Sequence, residues 1–100
     1  MDWAIKIRPL AFLDLDEAAT WYNYQKAGLG IEFLIEANIF IEKLAKNPYA
    51  FRMLFDPVRR IVLKRFPYKI LYFIENEKVI IIGIVHQKRS NRYLKRRYKN

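Results

Sequence analysis

Apolar and polar residues alternate from Trp3 to Arg8, with Trp3, Ile5 and Ile7 set against Ala4, Lys6 and Arg8, until Pro9 intervenes. A period of two predicts a strand, and the proline ends it because it brings no N–H to a ladder. From Leu10 to Gln25 the period lengthens. Phe12, Leu15, Ala18, Ala19 and Tyr22 recur at helical spacing, and Asp14, Asp16 and Glu17 come early, as in a solvated first turn whose dipole favours acids. Gly28 and Gly30 punctuate the chain, so Gly28-Leu29-Gly30 reads as a helix-to-helix turn. A second helix is expected from about Leu29 to Lys46, with Phe33, Leu34, Ala37, Ile41 and Leu44 on one stripe and Lys43 and Lys46 in the last turn. Asn47-Pro48 stops it, and the short turn between the helices suits an antiparallel hairpin.

Beyond Pro48 the pattern returns to that of strands. A short one is expected near Phe51 to Phe55, then Val58 to Phe66, Lys69 to Glu75 and Lys78 to His86, with Asn76-Glu77 turning the last two into a hairpin. Ser90 to Tyr98 is basic and can form a helix, and the end at Asn100 is expected to fray. The order β-α-α-β-β-β predicts one α+β domain over residues 1–100, a helical hairpin packed on a mainly antiparallel sheet. Along Lys69 to Glu75 one face carries Ile70, Tyr72 and Ile74 and the other Lys69, Leu71 and Phe73; Lys78 to His86 is likewise apolar on both sides. Such strands need cover on both faces. The hairpin covers one, and the C-terminal segment or another chain must cover the other.

Composition narrows the class. The absence of cysteine excludes a disulfide framework, a thiol nucleophile and a Cys-based metal site. Met1 to Pro9 lacks the regions of a signal peptide, and the longest apolar run, Val79 to Val85, is far short of the ~20 residues that span a bilayer. A cytoplasmic protein without a membrane partner is the expectation. The net charge of +9 is one-sided: residues 1–50 hold five Lys/Arg and seven Asp/Glu, whereas residues 51–100 hold fourteen Lys/Arg and three acids. A basic half of this kind suggests a polyanionic partner, either nucleic acid or an acidic protein.

The inventory of reactive groups is small. With one His (His86), one Ser (Ser90) and one Thr (Thr20), and no acid placed to orient the imidazole, a Ser-His-Asp hydrolase is excluded in practice. Neither a metal cluster nor a phosphate-binding glycine loop is legible, so no cofactor is expected. What remains is basic and aromatic. Arg59, Arg60, Lys64, Arg65 and Lys69 are expected on adjacent strands among Phe66, Tyr68 and Tyr72, with Arg60 and Lys64 four apart on one strand face. His86, Lys88, Arg89, Arg92 and Tyr93 follow the last strand. Such groups could cleave a phosphodiester through its neighbouring 2′-hydroxyl, cations stabilising the dianionic transition state and a lysine of lowered pKa taking the proton. They could equally bind a phosphate backbone.

The residues Leu15-Asp16-Glu17-Ala18, Trp21-Tyr22, Gln25, Gly28-Leu29-Gly30, Phe33, Glu36, Asn47-Pro48, Val58-Arg59-Arg60, Leu63 to Tyr68, Ile70, Tyr72 and His86 to Arg89, taken in order, resemble the RelE/ParE toxin superfamily of bacterial toxin–antitoxin systems. The resemblance implies a concave sheet and an acidic antitoxin, encoded next to the toxin, whose C-terminal segment wraps it in a hetero-oligomer. RelE-like members cleave mRNA on the ribosome. That activity would place Arg60, Lys69, Arg89 and Tyr93 in catalysis and Arg59, Lys64, Arg65, Lys88 and Arg92 on nucleic acid. Val62, however, stands where RelE-like enzymes carry lysine, and Tyr93 lies two residues nearer to Arg89 than their tyrosine. ParE-like members inhibit DNA gyrase without a catalytic residue, and Trp21-Tyr22, Gln25, Gly28-Leu29-Gly30 and Phe66-Pro67-Tyr68 resemble these more. Leu71 and Phe73, on the second apolar face, are the expected antitoxin-binding pair. The expected function is thus a ParE-like gyrase inhibitor, with ribosome-dependent mRNA cleavage, or a degenerate non-toxic binding module, as alternatives.

Overall fold

A computed structural model describes residues 2–99; Asn100, where fraying is expected, lies outside them. The order is β1 (Ala4–Ile7), α1 (Pro9–Gln25), α2 (Leu29–Lys46), a 3-10 turn (Pro48–Ala50), β2 (Met53–Phe55), β3 (Val58–Val62), β4 (Tyr68–Glu75), β5 (Lys78–His86) and α3 (Asn91–Lys99). One sheet carries the strands in the order β1-β5-β4-β3-β2, with β1 parallel to β5 and every other pair antiparallel. The β4–β5 hairpin turns at Asn76 and Glu77, both in the left-handed region. This is the α+β fold expected, with the short strand expected near Phe51 to Phe55 present as the edge strand β2.

The helical hairpin lies on the face of Ile61, Ile70, Tyr72, Val79, Ile81 and Ile84, to which it contributes Ala11, Ala18, Tyr22, Phe33 and Leu44. Each large side chain fully buried there contributes about 1.5–3 kcal/mol. Gly30 sets the helix crossing: a Cβ there would stand 2.2 Å from the Ala19 carbonyl oxygen, so only glycine lets α2 approach α1. The amide of Gly30 in turn donates to Asn23 Oδ1 at 2.8 Å, which satisfies one open N–H of the first turn of α2. Tyr72 is fully buried and donates its hydroxyl to the Pro48 carbonyl at 2.6 Å. Two expected core residues face solvent instead, Phe12 on α1 and Leu34 on α2, while Ala11 and Glu36 take inward positions.

The opposite face is covered by the chain's own C-terminus. Leu94 of α3 is fully buried among Val58, Leu71, Phe73, Ile80, Ile82 and Val85, with Tyr93 and Tyr98 at the margin. Tyr98 meets Phe73 edge-on at 5.2 Å, and Arg8 ties the end of the helix down by donating to the Tyr98 carbonyl at 2.9 Å.

The third strand is shorter than the pattern suggests. The carboxylate of Glu36, buried on α2, accepts the backbone N–H groups of both Lys64 and Arg65 at 2.8 Å and draws the chain into a turn after Val62. Lys64 and Arg65 therefore sit in an exposed turn, and Arg60 and Lys64 do not share a strand face. Local alternation could not reveal this, because the turn is imposed by a residue 28 positions earlier.

Candidate functional site

The sheet ends unevenly at β5. Its partner β1 stops at Ile7, opposite Ile81, and the last bond from that side is Arg8 N–H to the Ile81 carbonyl at 3.0 Å. A register shift against β4, between the pairs Leu71–Gly83 and Tyr72–Ile81, leaves Ile82 as an extra residue. Open backbone groups on β5 are then satisfied by side chains from both layers. Asp14 of α1 accepts from the Ile84 amide at 2.9 Å, and Arg97 of α3 donates to the Ile82 carbonyl at 3.1 Å. The two side chains also pair with each other, Nη2 to Oδ2 at 2.6 Å and Nη1 to Oδ1 at 3.3 Å. Burial lowers the pKa of Arg97, but hydrogen bonds to Asp14 and Tyr93 outweigh it and the net shift is upward. Gly83 makes room for this bridge, since a Cβ would come within 3.1 Å of Arg97 Nη2. Asp14 is thus no solvated first-turn acid: α1 begins at Pro9, which puts Asp14 in the second turn, facing the sheet edge. The sequence signal was the glycine in an otherwise β-branched strand, a mark of a bulge or close approach.

Beside the bridge, between α1 and the end of β5, lies a cleft of about 530 Å³ lined among others by Trp21, Tyr68, His86, Arg89 and Tyr93. His86 meets Tyr68 edge-on at 5.7 Å, and its Nδ1 accepts the Lys88 amide at 3.1 Å, which assigns a neutral ring's proton to Nε2. The Tyr68 hydroxyl has its pKa raised by burial and by Asp14, against the opposing effect of Arg89. Among the described residues no group of three His, Cys, Asp or Glu could hold a metal, and no helix is long and apolar enough to cross a membrane.

The four residues expected in catalysis fall into two groups. Arg60 lies on β3 opposite Leu71, and Lys69 on β4 is buried with its Nζ donating to the Gln87 carbonyl at 3.1 Å. Burial, and then Arg60, lowers the pKa of Lys69. Neither residue lines the cleft. Arg89 and Tyr93 do, with the guanidinium 4.4 Å from the ring centroid, and the Tyr93 hydroxyl accepts from Arg97 Nη1 at 3.2 Å. The residues expected on nucleic acid are also dispersed. Arg59 donates to the Phe51 carbonyl at 2.8 Å, Arg65 pairs with Glu32 at 2.7 Å, Lys64 stands in the turn, and Lys88 and Arg92 are exposed around the start of α3. Leu71 and Phe73 are buried beneath α3.

The fold, a helical hairpin on one face of a five-stranded, mainly antiparallel sheet, is similar to that of two solved toxin structures. A structure of the chromosomal ParDE toxin–antitoxin system from P. aeruginosa is similar with a TM-score of 0.76 and 19% identity, covering 84% of this chain and 95% of that one. The isolated E. coli RelE toxin is similar with a TM-score of 0.55 and 16% identity, covering 97% of each chain. No curated protein matches the chain. The family described as the ParE toxin of the type II toxin–antitoxin system parDE matches residues 5–91, from β1 to the first residue of α3. The chain belongs to this family.

Proposed function

We propose that this ParE-family protein is a toxin that inhibits DNA gyrase in the cytoplasm and is neutralised by an acidic antitoxin encoded beside it. The observation that carries the gyrase reading is the division of the cationic residues: Arg60 and Lys69 sit on the central strands, with Lys69 held on the Gln87 carbonyl, while Arg89 and Tyr93 line a cleft whose walls do not include those two. Tyr93 is engaged as an acceptor for Arg97. Phosphodiester cleavage needs its charge-stabilising and proton-moving groups around one phosphate, whereas inhibition by binding places no such demand. The antitoxin follows from the basic C-terminal half, since opposite charge speeds encounter. A segment of it would contact Leu71 and Phe73 only by displacing α3.

One observation favours the mRNA-cleaving alternative: Lys69 has the lowered pKa that a proton acceptor on a central strand would need. In that reading Lys69 takes the 2′-hydroxyl proton and Arg60 and Arg89 stabilise the dianion. Both readings are tested together by inducing the chain in cells and following DNA breakage with the SOS response alongside mRNA cleavage with translation arrest. Under the gyrase reading DNA damage comes first and purified gyrase is inhibited; early mRNA cleavage with intact DNA would overturn it. Co-expression and pull-down with the product of the neighbouring reading frame tests the antitoxin, and failure to bind would remove it.

A further inference from the structure

Nine of the eleven large apolar side chains exposed among the described residues belong to the helical hairpin. Three of them form a row on α2. Ile31, Ile35 and Ile39 stand four residues apart and are 61, 55 and 47% exposed, on the side away from the buried Phe33, Ala37 and Leu44. Gly30 and Ala19 meet where the two helices cross, so Leu34, four residues after the first, and Phe12, seven before the second, flank the row on the side of α1. These five side chains leave bare an apolar surface on the order of 500 Å², large for a monomer and most of the ~800 Å² per partner that a standard interface takes up.

The row fits a copy of itself. Ile31 and Ile39 are symmetric about Ile35, so a second α2 laid antiparallel across the first, with Ile35 at the twofold axis, sets Ile31 against the partner's Ile39 and Ile39 against the partner's Ile31. The same register carries Glu42, about 10 Å past the axis at the helical rise, to the end of the partner's hairpin where Lys26 stands, and it does so twice. Both residues are exposed and in no salt bridge among the described residues. Charge selects the occupant. From Pro9 to Lys46 there are three Lys/Arg and six Asp/Glu, against sixteen and four in the rest of the chain. An acidic protein is drawn to the basic remainder, whereas two copies of a chain of net charge +9 escape mutual repulsion only by meeting through the hairpin.

We propose that the outer face of α2 is a homodimer interface, isologous and centred on Ile35. The interface is independent of whether gyrase or mRNA is the target, because it uses none of the residues in the cleft.

The test is the mass of the purified full chain by sedimentation equilibrium, from micromolar to submillimolar concentration. The 12.1 kDa protein should approach twice that mass as concentration rises. Ile35→Glu sets two carboxylates against each other at the axis and should weaken association about 100-fold or more. Urea denaturation checks its fold, and Ile35→Gln replaces it if it unfolds. Glu42→Lys and Lys26→Glu should each weaken the dimer several-fold, and the two together should restore it. Because the chain has no cysteine, Ile35→Cys carries a single thiol. At the crossing point two such thiols lie within disulfide reach and should join rapidly when added diamide takes up their two hydrogens, whereas Tyr24→Cys, exposed on α1 away from the row, should not. A monomer at every concentration, a dimer indifferent to Ile35→Glu, or cross-linking no faster at position 35 than at 24 would overturn the proposal. So would a monomer in which Ile35→Glu abolishes capture of the neighbouring reading frame's product, since that result gives the face to the antitoxin.

Discussion

The two faces of the sheet are held by different physics. Beneath the helical hairpin the contact is apolar and aromatic: Phe33, Tyr22, Phe66 and Tyr68 meet one another at centroid distances of 4.9 to 6.1 Å, joined by the small residues Ala11, Ala18 and Gly30 that let the helices come close. Beneath α3 a single leucine is fully inserted, and the rest of the anchorage is ionic and peripheral: Arg97 on Asp14, Arg8 on the Tyr98 carbonyl, and Tyr98 against Phe73. Non-directional packing spread over many groups tolerates the loss of none of its large members cheaply but has no single latch. The α3 face depends on one buried bridge. The difference separates a scaffold from an attachment, and the exposed cations are concentrated on the attachment.

Truncation on the hairpin face should have the largest effect. Phe33→Ala removes a fully buried ring at the centre of the aromatic group and should lower the free energy of unfolding by about 3–5 kcal/mol, read from urea denaturation. Arg97→Ala should cost less, about 3 kcal/mol, because Asp14 retains some solvent but loses its counter-charge while the Ile82 carbonyl loses its donor. Its signature is local: hydrogen exchange should accelerate in α3 and along β5 near Ile84 before the hairpin opens. Equal acceleration throughout the molecule would erase the distinction between the two faces.

How much of this was legible in the sequence follows the same division. Alternation in Lys69 to Glu75 sorted Ile70, Tyr72 and Ile74 from Leu71 and Phe73 onto the correct sides, and the second helix runs from Leu29 to Lys46 as its caps imply. These features are local, set by period and by stop residues. The end of the third strand at Val62 and the engagement of the half-buried Asp14 at the sheet edge were not legible, because each is imposed by a distant partner, Glu36 on the amides after the strand and Arg97 from the far end of the chain. The same limit applied to the candidate site. The resemblance to RelE-like enzymes grouped Arg60, Lys69, Arg89 and Tyr93, whereas in the fold Arg89 and Tyr93 line the cleft and Arg60 and Lys69 do not. That α3 itself covers Leu71 and Phe73 was one of two possibilities left by the apolar second face.

Smaller perturbations sharpen the comparison. Gly83→Ala would push a methyl group against Arg97, which its two bonds to Asp14 prevent from yielding, and should cost about 1–2 kcal/mol. In an Arg97→Ala background most of that penalty should vanish, a coupling that a double-mutant cycle would measure. On the hairpin side, burial pushes the Tyr72 hydroxyl up to about 12 from its ordinary 10.0. Its contribution is therefore complete below pH 10 and is lost as the pH rises toward 12, because the unfolded chain ionises first. Tyr72→Phe should be slightly less stable at neutral pH, by about 1 kcal/mol for the bond to Pro48, and should lose less stability between pH 10 and 12 than the wild type. Parallel alkaline curves for the two proteins would remove Tyr72 as the cause.

Tyr93→Phe bears most directly on function, because it removes the hydroxyl that acid–base chemistry at the cleft would need while keeping the ring on which Arg89 rests. The decisive measurement is the inhibition of supercoiling by purified gyrase, with mRNA cleavage on ribosomes followed in the same protein preparations. For a toxin that acts by binding, wild type and Tyr93→Phe should inhibit gyrase equally and neither should cut mRNA. Cleavage by the wild type that disappears in a folded Tyr93→Phe protein, with gyrase unaffected by both, would contradict it.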